Sequence, residues 1–164
     1  HASGDAFGFV QLASTEDAYQ WGGHKIISRT TSNFTKNAND TLGNVTGLSF
    51  AIPASQVWAF QVFAEALIGA TPDIKVALTV PAGATATGLA TKIDAAATQS
   101  VRAADFTTAQ ALVSAAAGVG LILSGVVVNS TTAGTVQVQA AQNTSTAEDT
   151  IIYAQAYIMA WRIA

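Results

Sequence analysis

Hydrophobic residues recur along this chain with a period of two, most clearly in its last third, residues 118–163. From Val119, VGLILSGVVVN puts Leu121, Leu123 and Val127 on one side of a strand and Ile122, Val126 and Val128 on the other. A strand apolar on both sides is expected to be covered on both. AGTVQVQAAQN then alternates, with Val136, Val138 and Ala140 facing one way and Thr135, Gln137, Gln139 and Ala141 the other. That pattern predicts a half-buried strand with an amide-rich outer side. The polar link NSTTAG between them offers Asn129 and Gly134 for the positive φ of a hairpin turn. Residues 150–163 read as one unbroken strand. Ile151, Tyr153, Tyr157, Met159, Trp161 and Ile163 share one side, and Ile152, Ala154, Ala156, Ile158 and Ala160 the other.

Upstream, residues 24–30 predict a first strand with Ile26 or Ile27 inward, and residues 31–44 a polar connection dense in Asn, Asp, Thr and Gly. Residues 46–52 place Leu48, Phe50 and Ile52 on one side, and Pro53 closes that strand. Val57–Ile68 is the longest central strand, with Trp58, Phe60, Val62, Ala64, Ala66 and Ile68 on one side. Its aromatic and β-branched content, bounded by Pro53, Gly69 and Pro72, favours strand over helix. Residues 73–80 alternate with Ile74, Val76, Leu78 and Val80 inward, and GATP is expected to join them to the preceding strand as a hairpin. PAGATATG reads as a small-residue loop. Residues 89–102 are weak in period and predict one or two short edge strands, one of them near 98–104. Residues 105–118 are Ala-rich, so a helix capped by Asp105 and an extended chain both stay open.

Residues 1–23 carry no strand period; Gly4, Gly8, Gly22 and Gly23 are interleaved with Phe7, Phe9, Leu12, Tyr19 and Trp21. Aromatic anchors on a segment too short for a core of its own suggest an arm that packs on a neighbouring subunit, against the plainer reading of a terminus folded back on its own domain. Seven or eight strands in succession with little helix describe an all-β chain. We expect an antiparallel β-sandwich, jelly-roll-like and closed mainly by hairpins, over residues 24–164, with an extended N-terminal arm over residues 1–23.

Composition sharpens this picture. Of 164 residues, 10% are charged and 50% hydrophobic, where soluble domains carry roughly 25% charge. A monomer so built has few charges with which to dress its surface, so part of that surface is expected to be covered by other chains. A net charge of −3 without any Lys/Arg cluster gives no footprint for nucleic acid. Cysteine is absent, which removes disulfides and thiolate metal sites. Nothing resembles an 18-residue apolar span or a signal peptide, so no membrane partner is expected. Starting at His1 and not Met, the chain reads as a processed or trimmed product.

Candidate chemistry is thin. The two histidines are His1 and His24, and no nucleophile-elbow pattern surrounds any serine, although Ser28 and Asp40 lie near His24 in sequence. Glu65 and Asp73 are the carboxylate pair expected on adjacent strands, with a salt bridge to Lys75 as the blander account. Asp40 in NANDTLGN has oxygen neighbours suited to Ca²⁺ but not the acidic spacing of a binding loop. Sequons begin at Asn33, Asn39, Asn44, Asn129 and Asn143, and turn chemistry explains such triplets in an Asn- and Thr-rich β protein. No catalytic, cofactor or metal site is assigned.

The run LILSGVVVNSTTAGTVQVQAAQNTSTAEDTIIYAQAYIMAWRI resembles the C-terminal signature of a family of tailed-bacteriophage virion proteins. Its features are a strand ending in G-V-V, then T-A-G-T, a strand ending in A-Q-N-T-S, and a closing strand with an arginine beside an aromatic residue. VWAFQVFAEALIGATPDIKVALTVPAGAT is similar to the segment upstream in that family, and together the two cover about residues 42–163. Ala140-Ala141 departs from it, standing where a bulky aromatic is expected. The resemblance implies a virion surface role, since family members occur as head decoration (cement) proteins and as head- or tail-fibre domains, generally trimeric.

On it rests the expectation of a non-enzymatic homotrimer that decorates the phage head, bound to the major capsid protein or another virion protein and made in the bacterial host cytoplasm. Phe7, Phe9, Tyr19 and Trp21 would contact a neighbouring subunit or the shell, and Gln137, Gln139, Gln142 and Asn143 would form an amide layer between subunits. The alternative is a fibre or receptor-binding tip whose loops 31–44 and 81–91 meet a host glycan or protein. A secreted recognition module of the tumour-necrosis-factor type shares the architecture but lacks export evidence.

Overall fold

The computed structural model describes residues 25–69, 71–95, 98–113 and 118–164. Phe7, Phe9, Tyr19, Trp21 and His24 lie outside the described residues. The described chain is all-β and antiparallel. Its strands are β1 (Lys25–Arg29), β2 (Phe34–Lys36), β3 (Gly43–Ile52), β4 (Val57–Ile68), β5 (Ile74–Thr79), β6 (Thr85–Ile93), β7 (Thr98–Ala103), β8 (Gln110–Leu112), β9 (Gly118–Val128), β10 (Gly134–Gln142), β11 (Thr150–Ile152) and β12 (Tyr157–Arg162). They form an eight-stranded sheet in the order β1-β12-β4-β9-β6-β7, with β11 and β2 continuing from the far end of β4, and a four-stranded sheet in the order β3-β10-β5-β8.

The core fills the space between the sheets because each long strand alternates. Trp58, Phe60, Val62, Ala66 and Ile68 of β4 point inward with Leu121, Leu123 and Val127 of β9, and Leu48, Phe50, Ile52, Ile74, Val76, Leu78, Val136 and Val138 come from the smaller sheet. Phe50 stacks on Trp58 at 5.9 Å between ring centroids, and Phe60 meets Phe106 edge to face at 6.0 Å. Of the two isoleucines in β1, Ile26 packs on the core and Ile27 is exposed.

The hairpins expected from sequence are mostly absent. β4 and β5 lie in different sheets, as do β9 and β10, so GATP and NSTTAG carry the chain across the sandwich. Neither Asn129 nor Gly134 has a positive φ. Instead Asn129 is buried, and its Nδ2 donates to the carbonyls of Pro53 at 2.7 Å and Thr132 at 3.0 Å. That bond ties the β3–β4 turn to the β9–β10 link, a use of asparagine as a staple and not as a turn former. Among the described strands only β6 and β7 are both consecutive and paired.

Residues 150–163 are not one strand. β11 and β12 both pair with β4 but are separated at residues 153–156, where Gln155 has φ 73. The link after β1 takes the hydrogen bonds that a ladder would have used: Thr30 N donates to Ala156 O, Gln155 N to Thr30 O, and Ala154 N to Asn33 Oδ1. Residues 105–113 form no helix. Asp105 caps a turn, its Oδ1 accepting from the hydroxyl and then the amide of Thr107, and these bonds hold its carboxyl below the usual carboxylate range. Next to it Phe106, fully buried, donates its N–H to Ala86 of one sheet and accepts from Leu78 of the other. Gly47 marks the corner where β1 meets β3: its φ is +91, and a Cβ there would stand 2.3 Å from the Arg29 carbonyl oxygen.

Candidate interaction surface

Because β4 pairs with β9 in unbroken register from Val57 to Leu67, the residues alternating with the core positions all reach the outer side of the larger sheet. One row across it runs Ile27, Met159, Gln61, Ser124, Leu89, Arg102, and the next runs Arg29, Tyr157, Phe63, Ile122, Thr91, Ser100. Phe63 and Tyr157 stack with centroids 5.3 Å apart. Ile27 is 62% exposed, Val128 48%, Leu89 45%, Ile93 44%, Trp161 37% and Tyr157 36%. These six, of eight large hydrophobics so exposed among the described residues, share this one side, where ordinary surfaces scatter such residues singly. In the last strand Ile158 and Ala160 point inward, and the bulkier Tyr157, Met159 and Trp161 outward. The expectation that both sides of β9 are covered fails within the described chain: Leu121, Leu123 and Val127 are buried, while Ile122 and Val126 are half-buried and Val128 is exposed.

The strand residues of this side carry Lys25, Arg29 and Arg102 against Glu65 alone. Its β6–β7 end holds a shallow open depression of about 410 Å³, lined by Thr87, Gly88, Leu89, Arg102, Ala103 and Ala104. Arg102 is the one titratable group there, which suits contact with a partner and supplies no acid–base pair.

The amide residues sit on the other sheet or at its end. Gln137 donates to the carbonyls of Val45 at 2.9 Å and Leu48 at 3.1 Å, satisfying backbone beside a register shift between β10 and β3. Gln139 donates to Asn44 Oδ1 at the surface. Gln142 is fully buried; its Oε1 accepts from the amides of Asn39 and Thr146, and its Nε2 donates to the carbonyls of Thr146 and Glu148. Asn143 is half-buried, and its amide N–H donates to Pro72 O. Ala140 and Ala141 are both fully buried.

The remaining sequence candidates are dispersed. Glu65 lies on β4 of the larger sheet and Asp73 just ahead of β5 of the smaller one, so the carboxylate pair expected on adjacent strands does not form. Ser28 donates its hydroxyl to Gly47 O. In the Asp40 loop, Asn39 Oδ1 accepts from Thr41 N and Ala38 takes a positive φ of 46, which is turn chemistry. Among the described residues no three of His, Asp and Glu come together. Residues 81–91 are a loop only as far as Ala84, because β6 starts at Thr85.

No family model matches the chain, and no curated protein sequence matches it. Among solved structures it is similar to a chain in the tripod from the baseplate of bacteriophage Tuc2009, at 13% identity and a TM-score of 0.32. The match covers 81% of this chain and 64% of that one.

Proposed function

We propose that this protein is a non-enzymatic structural component of a tailed-phage virion, a homotrimer that decorates and stabilises the head. Supporting it are the phage-like strand signature over residues 42–163 and the sparse charge of the chain. The observation that carries it is that scarcity of charge, 10% of residues, which leaves the chain a largely neutral surface that calls for burial against other copies or the shell. The mechanism is mechanical. A protein that binds only the assembled lattice stabilises that lattice by linkage, and a threefold arrangement multiplies weak contacts by avidity. Phe7, Phe9, Tyr19 and Trp21 would anchor the arm on a neighbouring subunit or the shell.

Added to undecorated phage shells, the purified protein is expected to bind near-stoichiometrically, and deletion of residues 1–23 to abolish binding. Co-sedimentation followed by gel densitometry measures this. Binding to host cells or a host glycan with none to shells would reject decoration in favour of a receptor-binding tip.

A further inference from the structure

We propose that the segment ahead of β1, residues 1–24, docks across the outer side of the eight-stranded sheet and covers it. The described chain leaves that side bare although Ile27, Trp161, Tyr157, Leu89, Ile93 and Val128 lie on it. Three features point to this segment as the cover.

The first is position and reach. β1 begins at Lys25 and is the open edge of this sheet, paired only with β12, so the segment joins the fold at the margin of the apolar side. Gly22 and Gly23 just ahead of it permit the sharp reversal needed to leave the plane of the sheet. Twenty-four residues extend to roughly 80 Å, while the five strand spacings from β1 to β7 span roughly 24 Å. The second is apolar content: Phe7, Phe9, Val10, Leu12, Tyr19 and Trp21 can supply the side chains that the bare side lacks.

The third is charge. Residues 1–24 hold Asp5, Glu16 and Asp17 and no Lys or Arg, so the whole net charge of −3 resides there, and the seven carboxylates that follow are matched by the seven Lys and Arg. The sheet side, with Lys25, Arg29 and Arg102 against Glu65, has the opposite sign. Complementary charge fixes which segment docks and in what sense, and the apolar contact supplies most of the attraction. Docking covers the side whether the segment comes from the same copy or the next one, and the proposal does not depend on the virion reading.

The test uses the full chain, whose lack of cysteine makes a single introduced thiol readable. Ser124→Cys places it mid-sheet, between Gln61 and Leu89, and Ser145→Cys in an exposed loop serves as reference. Thiol reaction with Ellman's reagent is expected to be about tenfold slower at position 124 than in the same chain carrying Phe7→Ser, Phe9→Ser and Trp21→Ser, with position 145 unchanged. Equal rates at 124 with and without the three substitutions would overturn the proposal. So would protection that survives the substitutions but falls on dilution, since a second copy's sheet would then be the cover. Light scattering on the same samples separates this from the trimer: a protected thiol on a single-copy species keeps the docked segment and removes the trimer.

Discussion

Gly125→Val is expected to destabilise the chain by about 4 kcal/mol or more. Gly125 on β9 lies directly opposite Gly88 on β6 and Phe60 on β4. A Cβ on Gly125 would stand 2.2 Å from the Thr87 carbonyl oxygen and 3.0 Å from the Phe60 ring, and one on Gly88 would stand 2.0 Å from the Ser124 carbonyl oxygen. The obstructing atoms are backbone, so relief requires opening the β6–β9 ladder beneath the Phe60–Phe106 contact. Overpacking alone costs about 1–3 kcal/mol. With ladder bonds lost as well, the cost is on the order of 4 kcal/mol or more, a large fraction of a domain's stability. Gly120→Ala is the control, because a Cβ there meets nothing nearer than 3.8 Å. It should change stability by less than about 1 kcal/mol. Urea denaturation followed by circular dichroism reads both, and a Gly125→Val chain that melts like the parent would refute the packing described.

The second large effect is expected at Gln142. Its amide accepts from Asn39 N at 2.8 Å and Thr146 N at 3.3 Å, and donates to Thr146 O at 3.1 Å and Glu148 O at 2.5 Å. It thus joins the loop after β2 to the loop before β11 through one fully buried side chain. Gln142→Leu keeps the volume and strands the Asn39 and Thr146 amides and the Glu148 carbonyl, while the Thr146 carbonyl keeps its bond from Ala38 N. At about 1 to 3 kcal/mol for each one left dry, and with loop edges able to admit water, a net loss of about 3 kcal/mol is expected. Gln142→Glu should cost more, because a carboxylate would face the Thr146 and Glu148 carbonyls with no proton to offer. Denaturation midpoints measure the loss, and limited proteolysis should begin in residues 37–41 and 143–149. A leucine chain within about 0.5 kcal/mol of the parent would show that the network contributes little.

What could be read from the sequence was set by side-chain size. β4 was legible to the residue at both ends because its inward positions hold Trp58, Phe60 and Val62, and the sandwich followed from several such strands. The first half of β6 read as loop because its inward positions, Ala86, Gly88 and then Ala90, are small so that the rings of Phe60 and Phe106 can fill the space, and residues 89–93 showed only as part of a weak edge-strand pattern. Volume supplied by one strand was hidden as apparent loop in another. Topology failed for a related reason: polar links such as NSTTAG read as turns whether they reverse the chain within a sheet or carry it across, and only Asn129's tertiary bonds decide. The apolar outer side was half legible. Both sides of β9 are apolar in sequence, but an alternating pattern does not say which side of β12 turns inward, and the bulky one turned outward. The arm anchors Phe7, Phe9, Tyr19 and Trp21 lie outside the described residues, and three of the four amides proposed for a layer between subunits, Gln137, Gln139 and Gln142, bond within the chain.

At the centre of the account is the claim that a chain so sparsely charged, 10% of its residues, is kept in solution by copies of itself. Light scattering coupled to size exclusion on the full chain at micromolar concentration tests it most directly. The predicted result is a single species of three times the 16.7 kDa chain mass, and a stable species of one chain mass that stays soluble would contradict it.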